Sequence, residues 1–464
     1  MTAEESQVVI VGAGVSGSST AIRLRQRGIT PLVLDKAEFP RDTTGEGLSP
    51  AVSPFLEELG LLDEINKPPF VKKRSLQLVS HSGDRAYGLA DLTREPFRSG
   101  QHRYPWGFNV HRLRFDMLFQ EKARAMGADV RLKTEASRFL TDDSGAITGV
   151  ELVEPDGGRR LVRTPLVIDC SGRQSALAQQ LGLRAPLERV FEGQWANFAV
   201  RCHFQKVNLE PLSSGNSAYD PATVNIFPDR DSWYWFIPLD LDAGLISIGF
   251  VARSKMCDLF DSADKRGAYL EMFRRNPVLA RVIDGAEMSD NIATTARLGH
   301  MNTRMAGPGF LCVGDAAFFP DPAWGTGVTV ALKTSKMAAE VAIQAIGDGD
   351  FGPASMARYE EEYRRFIINP FNSIRAYNYY YNDTEYVNFL VRRLAQSPRD
   401  MDLIVAVLFD YISHESFQSW TFREFKAYVR ETGRVPIMDR VSQLDFDSAS
   451  FARRGPAVEG REGA

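Results

Sequence analysis

The chain has 464 residues, 44% of them hydrophobic and 25% charged, and a formal net charge of −4. That size suits a large core shared by two or three structural units, and the weakly negative balance excludes the basic footprint of a nucleic-acid or anionic-membrane binder. No apolar run nears the roughly 18 residues of a bilayer span; the best, Leu403 to Phe409, is far too short, and the polar start MTAEESQ lacks a leader's basic and apolar regions, so a cytoplasmic protein without a membrane span is expected.

Residues 7–11 (QVVIV) predict a short buried strand, followed at once by Gly12-Ala13-Gly14-Val15-Ser16-Gly17, a helical stretch through Ser19 to Arg27 and a second strand at 31–35 (PLVLD). This order is a βαβ unit. In such a unit Gly12 allows the tight turn, Gly14 lets backbone approach a pyrophosphate, and Gly17 lets the helix pack close to the strand. The helix N-terminus offers amide donors and a positive dipole end. Asp35 lies 23 positions after Gly12, near the place of a carboxylate that accepts ribose hydroxyls. The pattern predicts a dinucleotide site.

Apolar residues then recur at helical spacing over 53–66 and 114–126, with strand-like segments at 128–132 and 147–153 and a hairpin turn at 156–158 (DGG). Residues 190–255 alternate apolar and polar positions and include WYWFIPL and GLISIGFVA, the pattern of an antiparallel sheet. Residues 309–314 return to a buried strand, 326–344 read as a long helix, the region after about 350 as mostly helical, and the last fourteen residues as a frayed tail. Tyr377, Tyr379, Tyr380, Tyr381 and Tyr386 read as helix packing, with a pocket lining or partner surface as the alternative. Cys170, Cys202, Cys257 and Cys312 are scattered, matching neither a zinc site nor a disulfide framework, so reduced thiols are expected. The six histidines show no metal spacing, and no nucleophile elbow or phosphate loop occurs.

Residues 167–173 (VIDCSGR) and 311–318 (LCVGDAAF) resemble segments of the FAD-dependent aromatic hydroxylase superfamily, and Arg112 in VHRLRFD matches its arginine near the cofactor. The resemblance implies FAD, with Asp315 accepting from a ribityl hydroxyl. A narrower resemblance, from about residue 7 to residue 345, is to the flavin-dependent halogenases. Residues 39–48 (FPRDTTGEGL) resemble their FPR…GESL segment, Trp233-Tyr234-Trp235-Phe236-Ile237-Pro238 their WxWxIP signature, and 314–328 (GDAAFFPDPAWGTGV) their Gly-Asp segment. It looks nearest to the smaller halogenases of phenols or pyrroles, often tethered to a carrier protein.

This resemblance implies an α/β fold: a Rossmann-type FAD-binding domain (1–77, 107–185, 296–345), an antiparallel-sheet substrate domain (78–106, 186–295), a C-terminal helical region (346–450) and a flexible tail (451–464). It places Gly12, Ala13, Gly14, Ser16 and Gly17 at the cofactor, with Asp35, Lys36, Arg41 and Glu46, then Arg112, Asp315, Gly327 and Val328. Thr326 and Gly327 would hold the chloride or bromide cosubstrate, and Trp233 and Trp235 would separate substrate from flavin. The implied route is a flavin hydroperoxide, then hypohalous acid, then a catalytic lysine. In Phe70-Val71-Lys72-Lys73 the lysine's place falls to Lys73, with Lys72 left open, and the run also reads as a solvated surface. No second GxGxxG is present for NAD(P)H, so a separate flavin reductase is expected to supply reduced FAD. The chain departs from the pattern at Gly47 (usually Ser), Ser75 (Gly) and Leu78 (Trp), around the lysine and the pocket wall. The alternatives are an aromatic monooxygenase and a non-catalytic flavin-binding protein.

Overall fold

The computed structural model describes residues 4–79, 87–91, 106–190, 197–213, 219–229, 232–260, 264–322, 325–380, 383–397, 400 and 414–434. The expected tail at 451–464, the apolar run 403–409 and Tyr381 lie outside the described residues, as do the side chains of Tyr377, Tyr379 and Tyr380.

The buried run VIV forms strand Val9–Val11 at the heart of a six-stranded sheet. Its parallel neighbours are Leu32–Asp35 and Val167–Asp169; Asp129–Leu132 and Phe310–Cys312 flank these, and Ala306–Gly307 closes one edge antiparallel. Register places Val11 opposite Leu34 and Asp169, so the glycine turn leaves from the carboxyl end of the sheet, where open α/β sheets bind nucleotides. Helix Val15–Arg25 packs against helices Arg112–Ala125 and Gly327–Asp348, and helix Pro353–Tyr380 lies against the last of these. The segment 53–66 is two short helices, Ser53–Glu58 and Leu62–Ile65, rather than one. Gly60, at φ +66°, takes the left-handed conformation that stops the first, and Leu61 N–H returns to Leu56 O at 2.9 Å. The hairpin at the DGG turn joins strands Ile147–Val153 and Arg159–Arg163.

The aromatic-rich region forms an eight-stranded sheet containing Asn197–Gln205, Leu245–Arg253, Ser232–Asp240 and Val224–Asp229 in antiparallel succession. Strand Ser75–Val79 joins it beside Val224–Asp229 in a parallel pairing, which the long connection between the two strands allows. The chain thus enters the sheet slightly ahead of residue 78.

The sheet has two faces. Leu76, Leu78, Val224, Trp233, Trp235 and Val251 belong to the core shared with the flavin-side domain. Tyr234, Phe236, Ile248 and Phe250 form a second core with Tyr269, Phe273 and Leu279 of helices Lys265–Arg274 and Pro277–Ile283. The alternation follows from the period of two along a strand. Tyr386 is buried against Phe389 and Tyr428, as helix packing requires. Among the described residues the four cysteines are free thiols, no group of three His, Cys, Asp or Glu gathers as metal ligands, and no helix is long and apolar enough to cross a membrane.

Candidate active site

The glycine loop is shaped by contacts at all three glycines. A Cβ on Gly12 (φ +104°) would lie 2.3 Å from Cys170 O, and one on Gly17 1.8 Å from Gly12 O, so both are closed to any side chain. A Cβ on Gly14 would meet only Arg41 Nη2, at 3.3 Å. Gly14 therefore faces open space, overhung by a guanidinium that also covers the Phe39 ring at 4.9 Å. No side chain caps helix Val15–Arg25 and its first turn carries no acidic residue, so its leading amides are left for an anion. Asp35 braces the loop: its Oδ2 accepts from Ala13 N and its Oδ1 from Ala37 N, both at 2.8 Å. Each oxygen keeps a lone pair for a ribose hydroxyl. Lys36 is exposed beside it.

The Gly-Asp turn meets this loop directly. A Cβ on Gly314 (φ +57°) would stand 2.7 Å from Ser16 Oγ and 3.3 Å from Ala331 Cα, so the first turn of one helix and the second of Gly327–Asp348 converge on it. Asp315 keeps part of its surface open yet lies deep among protein atoms. Burial pushes its carboxyl up to about 6, against the pull of Arg173 and Arg112. Helix Gly327–Asp348 starts at Thr326 without a side-chain cap, and nothing lies within 4 Å of where a Gly327 Cβ would be. Val328 is buried behind it.

The segment 44–48 ties these parts together. Arg112 donates from Nη1 to Thr44 O at 2.5 Å while its Nε and Nη2 hold Asp116 at 2.6 and 2.9 Å, so it clamps the loop and is itself held. A Cβ on Gly325 would meet Gly47 O at 2.4 Å, which fixes the approach of the Thr326–Gly327 turn, and Ser49 Oγ lies 2.9 Å from Thr329 Oγ1. Strand Gly47–Leu48 pairs with Gly107–Asn109, which pairs with Val71–Lys73. Lys73 sits opposite Gly107, 3% exposed, and among the described residues no hydrogen bond or ion pair holds its ammonium. Burial pulls its pKa from 10.5 to about 8. Lys72 points the other way, over the Trp106 ring at 4.8 Å.

Strand Ser232–Asp240 lies against the strands Val71–Lys73 and Gly107–Asn109. Trp233 and Trp235 share one face, ring centroids 5.5 Å apart and both at least nine-tenths buried. Gly249, opposite Trp235, makes room for it: a Cβ there would fall 2.3 Å from Trp235 Cζ2.

The FAD binding domain family matches residues 5–248, more than half of the chain. The chain belongs to that family. Among its relatives, a 1H-pyrrole-2-carbonyl-[peptidyl-carrier protein] chlorinase of Pseudomonas fluorescens is 28% identical over 413 residues, covering 86% of this chain and 88% of the relative. The corresponding brominase of Pseudoalteromonas luteoviolacea is 27% identical, covering 74% and 79%. In fold, the flavoprotein matches a solved flavin-dependent brominase with a TM-score of 0.74 at 21% identity (92% and 100% covered) and the myxobacterial chondrochloren halogenase with 0.71 at 24% (82% and 83%). The resemblance to flavin-dependent halogenases read from the motifs is borne out by these relatives.

The flavoprotein also uses residues that no motif marks. Tyr359 and Tyr363, one helical turn apart, donate to Cys312 O at 2.7 Å and Gly314 O at 3.1 Å and so hold the Gly-Asp turn from behind. Their i, i+4 spacing is the only signal the sequence offers. Tyr363→Phe strips a partner from a buried carbonyl and is expected to cost about 1 kcal/mol of stability and to weaken FAD binding; thermal melts with and without FAD read both. Glu46, expected at the cofactor, is 3% exposed and engages Arg201, His203 and Ser247 of the sheet. The groove lined by Ser6, Gln7, Thr164, Pro165 and Pro308 opens at the amino ends of the parallel strands, away from this site.

Proposed function

We propose that the flavoprotein is a flavin-dependent halogenase, with Lys73 as the catalytic lysine and a pyrrole or phenol ring, presented by a carrier protein, as substrate. One observation carries the reading: the ammonium of Lys73, a residue only 3% exposed, has no hydrogen-bond or ion-pair partner among the described residues and lies two strand pairings from Gly47 of the flavin-side loop. A structural lysine in that position would be paired or replaced, since an uncompensated buried charge is costly.

The Gly12–Gly17 loop, Arg41, Asp35 and Asp315 would hold FAD. When bound and reduced, it supplies two electrons and two protons that, with dioxygen and one further proton, turn halide into hypohalous acid and water. Thr326 and Gly327, at a bare helix N-terminus, suit the halide. Lys73, as ammonium, donates a hydrogen bond to the hypohalous oxygen and so polarises the halogen; as neutral amine, it takes the halogen from that oxygen to form an N–halogen bond, the oxygen leaving with an amine proton as water. Leu76, Leu78, Val224 and the two indoles make an apolar wall that fits a neutral ring. The substrate named for the two pyrrole halogenases supports carrier presentation, and a separate reductase supplies reduced FAD.

The test is to give the protein FAD, a flavin reductase with NADH, oxygen and bromide, with pyrrole-2-carbonyl loaded on a carrier protein or with free phenol. Mass spectrometry is expected to find the halogenated ring on the carrier. A hydroxylated ring under the same conditions would favour the monooxygenase, and flavin binding without oxygen consumption on any substrate would favour a non-catalytic role.

A further inference from the structure

Glu46 belongs by its backbone to the flavin side. Its carbonyl accepts from Val110 N at 2.8 Å, its neighbours Thr44 and Gly45 are clamped by Arg112, and Gly47 lies under Gly325. Its side chain goes elsewhere. Oε1 takes Arg201 Nη1 at 3.3 Å and lies 2.7 Å from His203 Nε2. Oε2 accepts from Ser247 Oγ at 2.5 Å, and Ser247 Oγ accepts in turn from Trp235 Nε1 at 3.3 Å. Arg201, 2% exposed, is fixed from its other nitrogen by Asp42 at 2.6 Å, and Asp42 also accepts from Asn291 Nδ2 at 2.7 Å.

The direction of this chain is forced. An indole N–H can only donate and a carboxylate only accept, so the single Ser247 proton must go to Glu46 and its lone pair to Trp235. The charge-assisted bond at the Glu46 end is the strong one and orients the hydroxyl. On the indole's other side Gly249 leaves the ring lying against the neighbouring strand.

We propose that Glu46 is a positioning residue: acting through Ser247, it sets the plane of the Trp235 indole and so couples the flavin-side loop 42–48 to the wall of the substrate chamber. In its functional part this rests on the reading of the two tryptophans as the partition between flavin and substrate.

The experiment compares wild type, Ser247→Ala, Glu46→Gln and Trp235→Phe, each loaded with FAD, with Ser247→Ala and Glu46→Gln also combined with Trp235→Phe. The first readout is spectroscopic. The Trp235 component of fluorescence and near-ultraviolet circular dichroism, obtained by subtracting the Trp235→Phe spectrum in each background, is expected to shift in Ser247→Ala and in Glu46→Gln. The second is the ratio of hydrogen peroxide released to halogenated product. It is expected to rise about fivefold in both variants, the factor that one hydrogen bond sets, and to rise no further when either is added to Trp235→Phe, since effects routed through one side chain are not additive. An unmoved Trp235 spectrum, or effects that simply add, overturns the proposal. A shifted spectrum in proteins none of which halogenates, wild type included, leaves the positioning role standing and removes the functional reading. Should Glu46→Gln not fold, Ser247→Ala, which keeps the ion pairs, decides alone.

Discussion

Lys73→Ala is expected to lower halogen transfer about a thousandfold, within the range that a positioned proton donor contributes, while leaving FAD bound. Lys72→Ala should leave the rate within about threefold, because it loses only a cation–π contact at the edge of the site. The pH profile then separates the two working forms. With a pKa of about 8, Lys73 is ammonium below that value and amine above it. A rate that falls as pH rises through 8 identifies the ammonium as the active species, and one that climbs identifies the amine. Stability gives a second check. The drop from 10.5 to about 8 means that burying the charged form costs about 3 kcal/mol at neutral pH. Lys73→Met removes that cost and should be the more stable protein at pH 7. Its advantage should shrink between pH 8 and 10.5, where the native lysine is already neutral while the unfolded one still binds a proton, so that wild type gains stability as pH rises. A methionine variant that melts below wild type at pH 7 would contradict the burial.

Gly14→Ala is expected to separate binding from folding. The new methyl would stand in free space apart from the Arg41 tip at 3.3 Å, so the melting temperature without FAD should hardly change. It would occupy the approach of the pyrophosphate, and FAD affinity should fall roughly a hundredfold, as expected for about two lost charge-assisted hydrogen bonds. Gly17→Ala should fail earlier, in folding, because its Cβ would sit 1.8 Å from a backbone oxygen. Flavin fluorescence titration beside a thermal melt distinguishes the two outcomes. Equal loss of stability in both variants would mean that Gly14 is needed for packing and not for a ligand.

The βαβ unit was legible because each of its steps is local: a strand, three glycines at fixed spacing, a helix and Asp35. The large sheet was legible from alternation, down to the shared face of Trp233 and Trp235. Two kinds of information were not. The split of 53–66 at Gly60 depends on one left-handed residue inside an apolar pattern that suits a single helix equally well. The partners of Glu46 come from residues about 155 to 201 positions away, brought together only when strands 197–205 and 245–253 pair. Local sequence carries no trace of such contacts. For the same reason the sequence, which gives the lysine's place to Lys73, left Lys72 open beside it, whereas the structure buries Lys73 and lays Lys72 over Trp106.

The two faces of the large sheet answer to different neighbours. Helices Lys265–Arg274 and Pro277–Ile283 grip it from behind through Tyr234, Phe236 and Phe250, whereas Leu76, Leu78, Val224 and Trp233 pack into the core shared with the flavin-side domain. If the front is the substrate wall proposed above, changes there would alter the ring accepted while leaving the contacts of the second core intact. Anyone wishing to redirect such an enzyme would begin with those front positions and leave the aromatic layer beneath them untouched.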